Sequence, residues 1–440
     1  MKVKRRSWLS IIIVALLVLA SSACAPSPKY EAIAIAEKAN PVEKMKLRFI
    51  SSWGGVDAKA DPLQQILNRF MEEHPDIEVV NESMFGDDFL HKLKTDFASG
   101  YNPDVFGLWP GSDIRALIKA DKVADLTEVL EKEKAWKETF GKDNWEYTTF
   151  NGKIYGLPLE IIYECLFINR DLFAKYNVKV PRTYNDLKQA VIDFKNNNIT
   201  PIAYNSTPEG TYLYQNIIAK LGGKANVELP FKNGKANRCY TDAMEVMKEL
   251  YNMGAFPENY FKLSSRDRDA LFMNKRAAMI VQGSWFLGRF DNEDTTVDIV
   301  PFPSFSGGVA GESSLIYGFG CGTFYMSKTT WDNSDRREAS IKLLKALTSE
   351  ASADLLSEKT GMISNVRSKY SNTYLGRLRV TERALLNNAV EFIRPPDSFV
   401  DRSVWEGTIV KEFPYVLEGE RSAESLWDAA KMEYVKKGIE

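Results

Sequence analysis

Histidine is nearly absent from this sequence, which holds only His74 and His91. Neither stands at metal-ligand spacing, so no metal is expected. No G-x-S-x-G elbow exposes a serine nucleophile, since Gly283-Ser284-Trp285 lacks the second glycine. Cysteine is scarce as well. Beyond Cys24 there are Cys165, Cys239 and Cys321, too few and too scattered for a disulfide framework or a zinc site. Cys165 and Cys321 sit in apolar, strand-like runs, where a small buried thiol is the default. There is no excess of basic residues to attract nucleic acid. The glycine-rich stretches "SFSGGVAGESS" and "GFGCGTF" do not match a phosphate-binding loop and read as a surface loop and a tightly packed strand. No cofactor is expected. A glycosidase would need only two carboxylates facing each other across a cleft, and 59 acidic residues leave that open.

Long apolar runs are also missing after the N-terminus. "WLSIIIVALLVLA" follows the basic "MKVKRR" and is too short to span a bilayer, but it suits a secretory leader over residues 1–23. Small residues then lead to Cys24, an arrangement that resembles a bacterial lipobox, with Ser21 where leucine is usual. Cys24 is the expected lipidation site and new N-terminus, and residues 24–44 read as a tether. Loss of the leader leaves 53 of the 57 basic residues against 59 acidic ones, a formal charge of −6. About 400 remaining residues exceed what one hydrophobic core usually serves, so two lobes are expected.

What is plentiful is alternation. "KLRFIS" is a predicted strand, and Asp61-Pro62 opens a helix whose apolar face is Leu63, Ile66, Leu67, Phe70 and Met71. "HPDIEVV" ends that helix and begins a second strand. Phe89, Leu90, Leu93 and Phe97 mark another helix, and "PDVFGL" a third strand. The pattern resumes with "YECLFIN", a capping box at Thr183 and Asp186, the strand "PIAY", helices near 212–220 and 240–253, and the strand "AAMIV". The chain is mostly helical after residue 330. Strands alternating with helices imply parallel sheets covered by helices.

Aromatic residues make up 12% of the chain, and their positions matter. Ligands of open α/β sheets bind beyond the carboxyl ends of the strands. Trp53 follows "LRFIS", Trp109 follows "DVFGL", and Trp285 follows "AAMIV" after Gln282-Gly283-Ser284, read as a three-residue turn. Three of the eight tryptophans beyond the leader therefore occupy strand ends. An indole there offers a flat platform, and a pyranose ring has an apolar C–H face to lie on it. Asp57, Asp113, Glu164 and Asn205 lie near the same strand ends and could take the rim hydroxyls. Trp136, Trp145, Trp331 and Trp427 read as packing residues. Tyr212 and Tyr214 open a helix that either rims the cleft or packs.

Several ordered motifs over residues 45–440 resemble the family 1 extracellular solute-binding proteins, the receptors of ABC importers for sugars. They are "FMEEHPDIEVV", "GYNPDVFGLWPG", "NGKIYGLPLE", "INRDLFAKYNVKVPRTYNDL" and "KRAAMIVQGSW". The resemblance implies a two-lobed α/β fold of the type II periplasmic-binding-protein kind, with a ligand cleft between lobes. Lobe 1 would comprise residues 45–162 and 320–370, and lobe 2 residues 163–316 and 371–440. Crossings are expected near Ile162–Phe167 and Tyr317–Gly320. Trp285 and Trp109 match the family's stacking aromatics, and Trp405 falls where maltose-type members place another. Tyr184, at a helix cap where many members have tryptophan, is expected to pack only. The implied protein is a monomeric, lipid-anchored receptor on a Gram-positive-like cell surface. It would bind a carbohydrate, expected to be an oligosaccharide, by hinge closure and deliver it to the transmembrane subunits of an ABC permease. A receptor for a polyol or glycerol phosphate is the alternative within binding proteins, and phosphate would call for Arg or Lys in the cleft. A secreted carbohydrate-active enzyme is the alternative from another class.

Overall fold

The computed structural model describes residues 44–291, 293–369 and 376–437. The leader, Cys24 and the tether up to residue 43 lie outside the described residues. Among those described, no helix is long and apolar enough to cross a membrane.

Two main sheets organise the chain, one in each lobe. The first has five strands, in the order Ile77–Asn81, Met45–Ile50, Val105–Gly107, Thr323–Met326 and Gly156–Pro158. Its first three strands run parallel and the fourth is antiparallel, with Phe324 opposite both Gly107 and Leu157. The second sheet is built on the ten-residue strand Glu160–Asn169. That strand pairs antiparallel with Ala277–Gly283 and Val297–Val300 along one part and with Ser314–Phe319 and Ile363–Ser364 along another.

Period-two burial gives each sheet two cores. In Glu160–Asn169, Leu166 and Ile168 pack under the helices Tyr184–Asn196, Tyr212–Val227 and Arg238–Asn252, while Tyr163, Cys165 and Phe167 face the opposite core with Phe286 and Leu378. In the first sheet Leu47 and Phe49 join one core, and Ile50 and Phe106 the other. Cys165 and Cys321 are buried free thiols, as is Cys239.

Most local signals have their expected outcome. Thr183 caps the helix Tyr184–Asn196, its hydroxyl accepting from the Asp186 N–H at 3.2 Å while Asp186 accepts from the Thr183 N–H at 3.1 Å. Tyr184 stacks on Phe305 with centroids 4.6 Å apart, and its hydroxyl donates to Glu249 at 2.7 Å. Three placements differ. The first helix is Ala60–Glu73 with Lys59 at its N-cap, so Asp61 lies in the first turn rather than capping it. The reason is tertiary: Lys59 is held by Glu160 at 3.0 Å, and its N–H donates to Asp57 at 2.8 Å. The chain leaves the first sheet at Leu159, before the expected Ile162–Phe167 crossing, because Ile161 and Ile162 are already paired with Phe319 and Gly318 in the second sheet. The return passes through Gly320–Gly322. Finally, Gln282 and Gly283 belong to the strand and not to a turn; a 3₁₀ helix, Ser284–Arg289, follows and carries Trp285.

Candidate functional site

The strand ends of both sheets open onto one cleft of about 440 Å³, within the usual range for a small-molecule site. Trp53, Asp57, Trp109, Glu164, Trp285 and Trp405 all line it, although they come from segments far apart in the chain. Asp113 and Asn205 do not.

The tryptophans divide by exposure. Trp109, from the first lobe, and Trp285, from the second, are half-buried. Trp285 is braced by Tyr212, whose ring meets it edge-on at 5.5 Å and 71°. It also folds back over Gly283 so closely that a Cβ there would stand 2.1 Å from the indole, which explains the glycine in the strand's last position. Trp53 is 1% exposed and meets Phe324 edge-on at 5.6 Å, so it forms the floor of the cleft. Trp405 is 2% exposed and stacked on Tyr214 at 5.9 Å and 23°, with its indole N–H buried and unpartnered among the described residues. Trp136 and Trp427 are packing residues whose indole N–H groups donate to Thr348 and the Tyr214 hydroxyl, each at 3.0 Å.

The floor carries charge. Lys59, 7% exposed, sits 3.0 Å from Glu160 and 3.7 Å from Asp57, and 5.6 Å over the Trp53 ring. Glu160 also accepts from the Gly322 N–H at 3.0 Å, which ties the returning chain to the floor. Burial raises the Asp57 carboxyl above its ordinary value even though Lys59 opposes the shift. The second-lobe wall holds a network that the sequence did not announce. Asp269 accepts from Arg268 at 2.8 Å and from Gln282 at 3.2 Å, and its other oxygen meets Arg289 at 3.2 Å. Asn205 belongs behind this wall: it is fully buried, donates to the Leu263 carbonyl at 3.1 Å and accepts from Arg268 at 3.4 Å. Asp113 is likewise one layer back. Its carboxylate binds Arg402, which lies 4.7 Å over the Trp109 ring and bonds Glu406 at 2.6 Å. This set joins the first-lobe helix Ser112–Lys119 to the C-terminal segment of the second lobe.

Glu164 is 2% exposed and accepts from Asn216 at 2.8 Å. Period two puts it on the same face as Leu166, where the helix Tyr212–Val227 packs and brings Asn216 to it. Burial first, and the Asp397 carboxylate second, push its carboxyl well above the ordinary range. An unfolded chain ionises this group at the ordinary carboxylate value. Between that value and the folded one, the native state holds one more proton than the unfolded state, so stability falls as pH rises through the window. Glu164→Gln keeps an acceptor for Asn216 and removes this slope. The stability of the variant relative to the parent should therefore improve from mildly acidic to mildly alkaline pH, as read from denaturant midpoints. A pH-independent difference would mean that native Glu164 is ionised.

Among the described residues, no group of three His, Cys, Asp or Glu side chains could hold a metal ion. Two α/β lobes over one cleft with aromatic walls and a polar floor define a binding protein of the two-lobed class. A family model for bacterial extracellular solute-binding proteins matches residues 57–354, and the chain belongs to that family, whose members act outside the cytoplasm. The multiple sugar-binding protein of Streptococcus mutans is 26% identical over 271 residues, 59% of this chain and 62% of that protein. The maltodextrin-binding protein of Bacillus subtilis is 23% identical over 56% of this chain and 58% of its own length. The chain thus spans about three fifths of the length of the curated relatives it matches. Solved structures match more completely. One, from work on xylan utilization by Caldanaerobius polysaccharolyticus, is 25% identical with a TM-score of 0.77, over 88% of this chain and all of that one. A chitin oligosaccharide binding protein has a TM-score of 0.79 at 21% identity, over 90% of this chain and 99% of that one.

Proposed function

We propose that this chain is the lipid-anchored receptor of an ABC importer for carbohydrate, held at the outer face of the membrane through Cys24, and that it binds an oligosaccharide in its cleft as a monomer. The observation that carries this reading is one half-buried tryptophan on each lobe, Trp109 and Trp285, over a floor of carboxylates in a single cleft. Stacked aromatics supply rigid contact to the apolar faces of sugar rings, and Glu164, Asp57 and Asp269 supply hydrogen-bonding capacity for hydroxyls. The relatives named for sugars, maltodextrin and chitin oligosaccharides support the same substrate class. Ligand touching both lobes stabilises their closed arrangement by differential contacts, with Leu159 and Gly320–Gly322 as the connections between the sheets at which the hinge works. The loaded, closed form is what the permease subunits then receive.

A thermal-shift screen against mono- and oligosaccharides tests the reading. A sugar at 100 times its Kd adds about 2.7 kcal/mol to the native state. Trp285→Ala should fold normally yet lose about tenfold in affinity for the same sugar, because an aromatic stacking contact contributes about 0.5–1.5 kcal/mol beyond the area it buries and about 1.4 kcal/mol is tenfold. Recovery of the sugar intact establishes a receptor. Cleavage of the sugar, or unchanged binding by Trp285→Ala, defeats the proposal.

A further inference from the structure

Five basic side chains line the cleft, and three are matched there: Lys59 by Glu160, Arg289 by Asp269, and Arg402 by Asp113 and Glu406. Arg115 and Arg394 are different. Among the described residues the Arg115 guanidinium has no hydrogen-bond or ion-pair partner, and it lies over the rings of Phe150 and Phe399, 5.6 and 6.0 Å from their centroids. Arg394 lies 4.7 Å over Tyr147 and meets one carboxylate, the half-exposed Glu146, at 3.3 Å, while its Nε is buried without a partner. The acidic groups Asp113, Glu406 and Asp397 act on Arg402 instead, and Glu228 and Tyr434 reach Arg115 by charge alone, without a hydrogen bond or ion pair. Burial, and then the charge of Arg394, hold the Arg115 guanidinium below its ordinary pKa.

A guanidinium taken out of water without an anion is unfavourable, and a second cation beside it makes matters worse. Aromatic faces offset part of that penalty but supply no counter-charge. Two guanidiniums with unfilled donors, only one of them in contact with a carboxylate, leave hydrogen-bonding capacity for an anion on a wall of the ligand cleft. We propose that the cleft takes an acidic oligosaccharide, and that Arg115 and Arg394 receive the carboxylate of a uronic acid ring. This rests on the carbohydrate reading and narrows it. A carboxylate fits the planar fork of arginine with two parallel hydrogen bonds. The ring bearing the carboxylate lies beside Tyr147 and Phe150, so the apolar face and the charge are taken at one place.

The test is titration calorimetry of the chain with di- to tetrasaccharides in matched pairs, neutral and with one ring oxidised to the uronate, alongside a sulfated counterpart. The uronate member should bind at least about tenfold tighter than its neutral partner, the range of a charged hydrogen bond, and the advantage should shrink as salt is raised. In Arg115→Gln and Arg394→Gln the advantage should fall below about twofold, with neutral binding changed by no more than that and denaturant midpoints no lower than the parent's. Arg115→Lys, which keeps the charge but not the fork, should retain part of it. Neutral sugars binding as well as uronates, an advantage that survives both glutamine variants, or a sulfate ester binding tighter than the uronate would each overturn the assignment. If only neutral sugars bind, the carbohydrate reading stands and the acidic one falls. If no sugar of either kind binds, both fall.

Discussion

Trp427→Ala should lower the unfolding free energy by about 3–5 kcal/mol. The indole is fully buried in the second lobe, on the helix Ala423–Lys436. Its ring meets Tyr240 at 4.8 Å, Phe231 at 5.8 Å and Trp405 at 6.5 Å. Its N–H donates to the Tyr214 hydroxyl, which in turn donates to the Tyr240 carbonyl at 2.7 Å. Truncation removes one of the two largest apolar side chains of this cluster and opens a cavity that surrounding helices cannot fill without shifting. It also withdraws the donor from Tyr214. That tyrosine is the ring on which Trp405 stacks, and Trp405 lines the cleft. The variant should therefore weaken ligand binding even in conditions where it stays folded. Urea unfolding reads the first effect, and a loss below about 1 kcal/mol would show that the helix repacks around the gap. Trp285→Ala makes the opposite pair of changes, with a large effect on binding and a small one on folding, because its ring faces the cleft.

That contrast marks the limit of what the sequence discloses. Period two in "YECLFIN" and the Thr183–Asp186 box depend on neighbours within a few residues, and both are legible in the chain. So is the packing role of Trp427, which has no strand end beside it. Trp53 and Trp109 share the same local signature, yet Trp53, packed on Phe324 from a strand more than 250 residues later, is 1% exposed while Trp109 stays half-buried. Lys59 as a helix cap depends on Glu160, and Asn205 lies behind the wall only because Arg268 reaches it. Arg115 and Arg394 carry no local mark at all. Their significance is that donors of both lack partners, which is a property of the assembled cleft.

The Arg268–Asp269 pair is the second place where a single change should be severe. Arg268 is 1% exposed, and Asp269 binds it through Nε at 3.1 Å and Nη2 at 2.8 Å. Its remaining partners are Glu209 at 3.1 Å and Asn205 at 3.4 Å, the first of them at the partly exposed rim. Asp269→Ala leaves the buried guanidinium with only the partly exposed Glu209 as counter-charge and should lower stability by up to about 3–5 kcal/mol. It also frees Gln282 and Arg289, which line the cleft, so binding should weaken with it. Asp269→Asn keeps an acceptor but not the charge, and should fall between alanine and the parent. The double variant Arg268→Met with Asp269→Leu separates the cost of a lost attraction from that of a charge left alone. If the stranded charge dominates, the double variant is more stable than Asp269→Ala, because neither desolvated ion remains. Denaturant unfolding of the parent, Arg268→Met, Asp269→Leu and the double, with Asp269→Ala beside them, decides it. Losses that simply add would show that water reaches Arg268 once its partner is gone.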